Sequence, residues 1–198
     1  RWNGGMKGRK GSIDEGGLRS PLFIRWPGHI SAGTSISQIG GAIDLMPTLT
    51  DLAGIGRRKT KPLDGRSLSP LLMQNDVKWE ARSLFAIRRN QVSVRTQRFR
   101  LDAAGQLFDI AADPGQRSNV ADRHPELVTK LRNQAAHHAK GMKACFEAHA
   151  ARPFHVGYGP STTLPARDGV EHGTIKRSSK APNNSFFTNW TSKDDFIN

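Results

Sequence analysis

Between Val92 and Cys145 the apolar residues change their period, and that change narrows the possible folds more than any other feature of the chain. Val92 and Val94, then Phe99 and Leu101, then Leu107 follow the two-residue alternation of strands with one covered face. Gly105 supplies a turn between the last two segments. From Leu127 the spacing lengthens, and Leu127, Leu131, Ala135, His138, Met142 and Cys145 fall on one face of a helix. His124-Pro125-Glu126 opens that helix, with proline at the first helical position and an acid in the first turn. The pattern predicts a small antiparallel sheet over residues 82–110, a turn at Asp113-Pro114-Gly115, and a helix packed across the sheet.

The upstream part reads differently. Residues 1–20 hold Gly4, Gly5, Gly8, Gly11, Gly16 and Gly17, a density that favours tight turns and close backbone approach over helix or strand. Pro21-Leu22-Phe23-Ile24-Arg25-Trp26 is a short apolar run expected to form a strand, stopped by Pro27-Gly28. Ile43 to Gly54 is expected to be helical, with Asp44 as its cap, Pro47 in its first turn, Leu45, Leu49 and Leu52 inward, and Gly54 at its end. A second short helix is expected over Ser67 to Met73, with Leu68, Leu71 and Leu72 inward. After Ala151 prolines punctuate a Ser-, Thr-, Gly- and Asn-rich stretch whose apolar cluster is Phe186, Phe187 and Trp190. The order of elements is mixed α/β.

Thirty Lys and Arg against 17 Asp and Glu give a formal net charge of +13, which favours an anionic partner. The cations are scattered apart from Arg57, Arg58, Lys59 and Lys61, which read as a solvated loop. Nucleic acid would call for aromatics interleaved with a basic stripe, and only Tyr158 and the Phe186–Trp190 cluster are available. Cys145 is the sole cysteine, so no intrachain disulfide can form; its place on the helical stripe marks it as a small core residue. His137 and His138 are adjacent and diverge on a helix, which argues against a shared metal. No transmembrane segment or secretory leader is visible. The chain starts at Arg1, and both ends are expected to be truncations.

Lys10 is the candidate site residue. It lies in Gly8-Arg9-Lys10-Gly11-Ser12, and an ammonium fixed by a glycine loop is a good donor to a tetrahedral oxyanion. The loop lacks the spacing of a P-loop. The stretch from Lys10-Gly11-Ser12 through Glu15-Gly16-Gly17-Leu18-Arg19-Ser20-Pro21 resembles the loop near the end of the catalytic domain of formylglycine-dependent sulfatases, arylsulfatase-like members of the alkaline-phosphatase superfamily. The resemblance continues in order through Leu22–Gly28, Ile43–Leu49 with Leu52–Gly54, Leu63–Leu68 with Pro70–Leu72, and Leu107-Phe108-Asp109. It ends with Asp113-Pro114-Gly115, Asn119 and His124-Pro125-Glu126.

The resemblance implies the C-terminal part of an alkaline-phosphatase-like sulfatase fold. Residues 1–80 would end the catalytic α/β domain, 81–150 would form a small C-terminal subdomain, and 151–198 would be an extended segment opening a truncated β-rich module. It implies hydrolysis of sulfate esters on a sulfated small molecule or polysaccharide, with no nucleic-acid or membrane partner, in a periplasmic or extracellular setting. It implies a calcium ion and a formylglycine nucleophile, both supplied from upstream of this chain. Lys10 would contact the sulfate, while Glu15 and Arg19 would hold the loop's shape. Cysteine or serine in C-x-P-x-R is absent; Thr163-Leu164-Pro165-Ala166-Arg167 has the wrong first residue and lies on the wrong side of Lys10. The chain alone is therefore expected to be inactive. A phosphate- or phosphonate-ester hydrolase of the same superfamily and a non-catalytic module binding anionic polysaccharide are the alternatives.

Overall fold

In the computed structural model the alternating segment becomes a four-stranded antiparallel meander: β1 (Leu84–Arg88), β2 (Gln91–Arg95), β3 (Phe99–Leu101) and β4 (Leu107–Asp109), in that spatial order. The structure describes residues 2–56, 62–73, 77–150, 159–161, 166–179 and 185–198. The basic run at Arg57–Lys61, Tyr158 and the Thr163-Leu164-Pro165 segment lie outside these. The chain divides into two units, Arg1–Ala148 and His149–Asn198.

In the first unit the register decides what each sheet face does. Val94 pairs with Leu101, and Leu101 with Leu107, so these three lie in a row on one face. Helix α4 (Pro125–Ala150) covers that row. Val94, Leu101, Leu107, Val128 and Leu131 form the buried cluster, with Phe85, Phe99 and Ala135 partly buried around it. Ser93 and Arg95 point the opposite way from Val94, and Arg95 pairs with Arg100, which pairs with Phe108. The second face therefore carries Ser93, Arg95 and Arg100 beside the buried Phe108, and it receives the glycine-rich loop. The expected sheet with a helix across it is observed, and Pro125 is the first residue of that helix.

Several expectations need correction. Cys145 is exposed, not core. A helix of 26 residues is about 39 Å long, whereas four strands span only about 15 Å, so the last turns of α4 run past the sheet. The run Pro21–Trp26 forms no strand, and Leu22 and Phe23 are exposed. A strand needs a hydrogen-bonding neighbour, and no described segment pairs with it.

Helix α2 (Leu45–Leu52) forms where expected, and Gly54 ends it at φ +64°, with the Ile55 N–H returning to the Thr50 carbonyl at 3.0 Å. Its buried residues are Pro47 and Thr48, however, while Leu45 and Leu49 are exposed. Thr48 explains the inversion: its hydroxyl donates to the Asp44 carbonyl at 2.6 Å and accepts the Leu68 N–H at 2.8 Å. That polar link fixes α2 against the segment leading into α3 (Ser69–Met73), where Leu68 and Leu71 are buried as expected.

Asp44 stands at the N-cap position of α2 as expected, but its carboxylate bonds none of that helix's N–H groups. Fully buried, it accepts from the Arg82 guanidinium at 2.9 Å, the Arg66 N–H at 2.7 Å and the Gly41 N–H at 2.8 Å. A buried charge is tolerated only when paired and hydrogen-bonded, and here it pins α2 to the segment entering β1.

The second unit is built from two short antiparallel pairs, β5 (Glu171–His172) with β8 (Phe196–Ile197) and β6 (Lys176–Arg177) with β7 (Phe187–Thr188). Asp195 organises it. Its carboxylate accepts the Thr174 N–H at 2.6 Å, the Thr174 hydroxyl at 2.7 Å and the Thr191 and Ser192 N–H groups at 2.9 and 2.8 Å. These donors, Ser192 first, hold its pKa down at about 2.

Candidate functional site: the Lys10 loop

The loop over residues 3–20 is bound to itself first. Asn3 donates its amide to the carbonyls of Met6 and Gly8, each at 2.7 Å. The Ser12 N–H bonds the Arg9 carbonyl at 2.8 Å, and the Gly16 N–H bonds the Lys7 carbonyl at 2.7 Å. Gly8 and Gly11 flank Lys10 with φ of +87° and +89°, in the left-handed region that side-chain-bearing residues avoid. Gly17 has a different reason to be glycine: a Cβ there would lie 2.3 Å from the Ser12 carbonyl oxygen. The single turn of α1 (Glu15–Leu18) thus stacks directly on the Arg9–Ser12 turn.

Glu15 then locks the loop onto the sheet. Only 3% exposed, its carboxylate accepts from Arg100 at 2.8 and 3.1 Å and from Arg95 at 3.2 Å, with Arg19 3.7 Å away. Its backbone N–H donates to the Gln116 side-chain oxygen at 2.9 Å. The neighbouring Ile13 carbonyl accepts from the Ser93 hydroxyl at 2.7 Å and from Arg100 at 3.1 Å. Arg95 and Arg100 stand opposite each other across β2 and β3, a like-charge pair that repels by itself. Glu15 resolves that repulsion. Burial lowers the pKa of Arg95, the carboxylate of Glu15 opposes that effect, and the Arg100 charge adds to it.

Lys7 is tied down as well, 3.5 Å from Asp14 and 3.7 Å from Asp102, with its ammonium over the Phe108 ring. Lys10 is the contrast. It sits at the exposed tip between two left-handed glycines, and no described residue pairs with it. The result is an ammonium on a braced loop with all its donors available.

The structure agrees with the reading of Glu15 and Arg19 as shape-holding residues, but their shared contact is the lesser one. Arg95, Arg100, Ser93 and Gln116 do most of the holding, and the sequence reading missed them. The two arginines were visible as polar residues alternating with the core positions Val94 and Leu101. Gln116 carries no sequence signal, reaching Glu15 from 101 residues away. Among the described residues no group of three or more His, Cys, Asp or Glu could hold a metal ion, so nothing described fits the calcium that the sequence resemblance implies. No described helix is long and apolar enough to cross a membrane.

Residues 9–141 match the family described as N-sulphoglucosamine sulphohydrolase, C-terminal. Arylsulfatase A of Bos taurus is 30% identical over 190 residues, covering 80% of this chain and 36% of that protein. Steryl-sulfatase of Homo sapiens is 43% identical over 70 residues, covering 35% of this chain and 12% of that protein. The solved structure of Ps i-CgsB is similar with a TM-score of 0.58 and 28% identity, covering 68% of this chain and 32% of that one. The same protein, in complex with k-i-k-neocarrahexaose, is similar with a TM-score of 0.58 and 29% identity over the same coverage. The chain belongs to the sulfatase family and represents its C-terminal portion, the end of an alkaline-phosphatase-like fold. It spans about a third of the length of arylsulfatase A and of Ps i-CgsB, 36% and 32% respectively.

Proposed function

We propose that the full-length protein hydrolyses sulfate esters and that Lys10 is the contribution of this chain to the reacting centre. The observation behind this reading is the pairing of a braced loop with an unpaired cation at its tip. Every acid around the loop already has a cation: Asp14 and Asp102 have Lys7, and Glu15 has Arg95, Arg100 and Arg19. Lys10, next to Gly11 in the Gly8–Gly11 turn, keeps its donors, held in place before any ligand arrives.

In the net hydrolysis an oxygen from water bonds to sulfur as the bond between sulfur and the ester oxygen breaks. Negative charge builds on the sulfuryl oxygens and the departing oxygen, and the latter leaves as an alcohol carrying a proton from that water. A preorganised ammonium donating to one of those oxygens stabilises that charge without reorganising first. The calcium ion and formylglycine that the sequence resemblance implies have no holders among the described residues, so no step here is routed through them. The substrate class is a sulfated small molecule or polysaccharide, supported by the oligosaccharide bound to Ps i-CgsB. A periplasmic or extracellular setting accords with such a substrate.

Lys10→Ala in the full-length enzyme is expected to lower turnover of a chromogenic aryl sulfate about a hundredfold, the scale of losing one preorganised oxyanion donor. Unchanged turnover would remove Lys10 from the site.

A further inference from the structure

The β1–β2 hairpin ends beside the Lys10 loop. Arg88 is the last paired residue of β1, opposite Gln91, and its guanidinium reaches back over Gly11: a Cβ on Gly11 would lie 3.8 Å from Arg88 Nη2. Arg88 is exposed, and no described residue pairs with it. The next residue, Arg89, holds φ +54°, a conformation usually left to Gly or Asn, so the turn presents arginine at a backbone cost.

The acids cannot account for this arrangement. Asp14, Glu15 and Asp102 are paired within the loop and sheet, and Asp109 pairs with Arg98 at 2.6 Å. Arg88, from the hairpin, is left as an unpaired cation beside the turn of the loop that carries Lys10. Like charges so placed repel until an anion joins them. A single sulfate ester satisfies Lys10. A guanidinium alongside has the fork geometry to take a second planar or tetrahedral anion on the same molecule.

We infer that Arg88 is a specificity residue that binds a second anionic substituent, sulfate or carboxylate, of a substrate whose scissile sulfate is held at Lys10. The substrate class is thereby a multiply charged saccharide, not a simple aryl ester. This inference rests on the sulfatase reading of Lys10 for its first anion and on the hairpin geometry for its second.

Two measurements separate the inference from that reading. In the full-length enzyme, Arg88→Gln is expected to raise KM for a multiply sulfated heparin tetrasaccharide about tenfold or more, the worth of one charge-assisted hydrogen bond. Turnover of 4-nitrophenyl sulfate by the same variant stays at wild-type level, and Arg88→Lys restores part of the loss. In the full-length enzyme, calorimetric affinity for the tetrasaccharide is also expected to fall by a similar factor in Arg88→Gln, with no binding of the desulfated sugar. Equal loss on both esters, or tetrasaccharide affinity unaffected by Arg88→Gln, overturns the inference. A full-length enzyme that turns over no sulfate ester overturns the sulfatase reading instead, and the binding measurement still decides Arg88.

Discussion

Replacing Glu15 with Ala removes one carboxylate and strands two guanidinium groups. The Arg100 side chain is 4% exposed and that of Arg95 is 15% exposed, so water cannot fully take over the lost contacts. Three charge-assisted hydrogen bonds disappear, at 2.8, 3.1 and 3.2 Å, while Arg100 keeps only its bonds to the Ile13 carbonyl and the Ser93 hydroxyl. Breaking a buried pair from one side costs about 3–5 kcal/mol, because the remaining charge is left uncompensated. For a domain of this size each kcal/mol is worth about 2–4 °C, so Tm is expected to fall by about 6–20 °C. Differential scanning calorimetry of wild type and Glu15→Ala measures it. The pair of variants Glu15→Ala and Arg19→Ala makes the test sharper, since Arg19 is largely exposed at 3.7 Å and its loss is expected to cost under about 1 kcal/mol. Equal effects from the two variants, or a Glu15→Ala loss below about 1 kcal/mol, would show that the network is solvated and does not brace the loop.

Two further outcomes follow from the geometry. Gly17→Ala is expected to push the Arg9–Ser12 turn away from α1, since the new methyl would meet the Ser12 carbonyl at 2.3 Å. Full-length turnover then drops with Lys10 intact, and a crystal structure of the variant with an unmoved loop refutes this. Asp195 has a folded pKa of about 2, below the ordinary carboxylate value of about 3.9. Its contribution to the second unit is therefore full above about pH 4 and is lost as pH falls through about 2. Trp190 fluorescence followed from pH 5 to pH 1.5 is expected to change in that window, and Asp195→Asn is expected to remove the transition.

What the sequence disclosed depended on how local the signal was. The sheet and α4 were legible because Val94, Leu101 and Leu107 keep a period of two and Leu127, Leu131 and Ala135 a helical one, each set by backbone geometry. The Lys10 loop was legible because glycine has few other reasons to recur at that density. Its bracing was not legible. A period-two reading assigns one face to the core and the other to water, and so overlooks that Arg95 and Arg100 receive Glu15 from 80 and 85 residues away. Asp44 was half legible: an acid before a helical stretch reads as a cap and does stand at the N-cap position, but only tertiary structure brings Arg82 to its carboxylate. Leu45 and Leu49 matched the helical period but not the burial, because Thr48 had already fixed which side of α2 faces inward.

That inversion has a measurable consequence. Leu131 is 1% exposed inside the sheet–helix cluster, whereas Leu49 is 62% exposed on α2. Truncating Leu131 to Ala removes buried methyl groups and opens a cavity, at about 2–5 kcal/mol. The same truncation at Leu49 removes little buried area and is expected to cost under about 1 kcal/mol. Leu49 has Leu45, Met46, Leu22 and Phe23 among the other exposed apolar side chains of the first unit. Exposed apolar surface on that scale favours association in water. Leu49→Lys is therefore expected to reduce self-association of the 198-residue chain, read by light scattering, while leaving its Tm within a few degrees of wild type. A large fall in Tm for Leu49→Lys, comparable to that for Leu131→Ala, would mean that the leucine face of α2 is buried after all and that Thr48 does not set the helix's orientation.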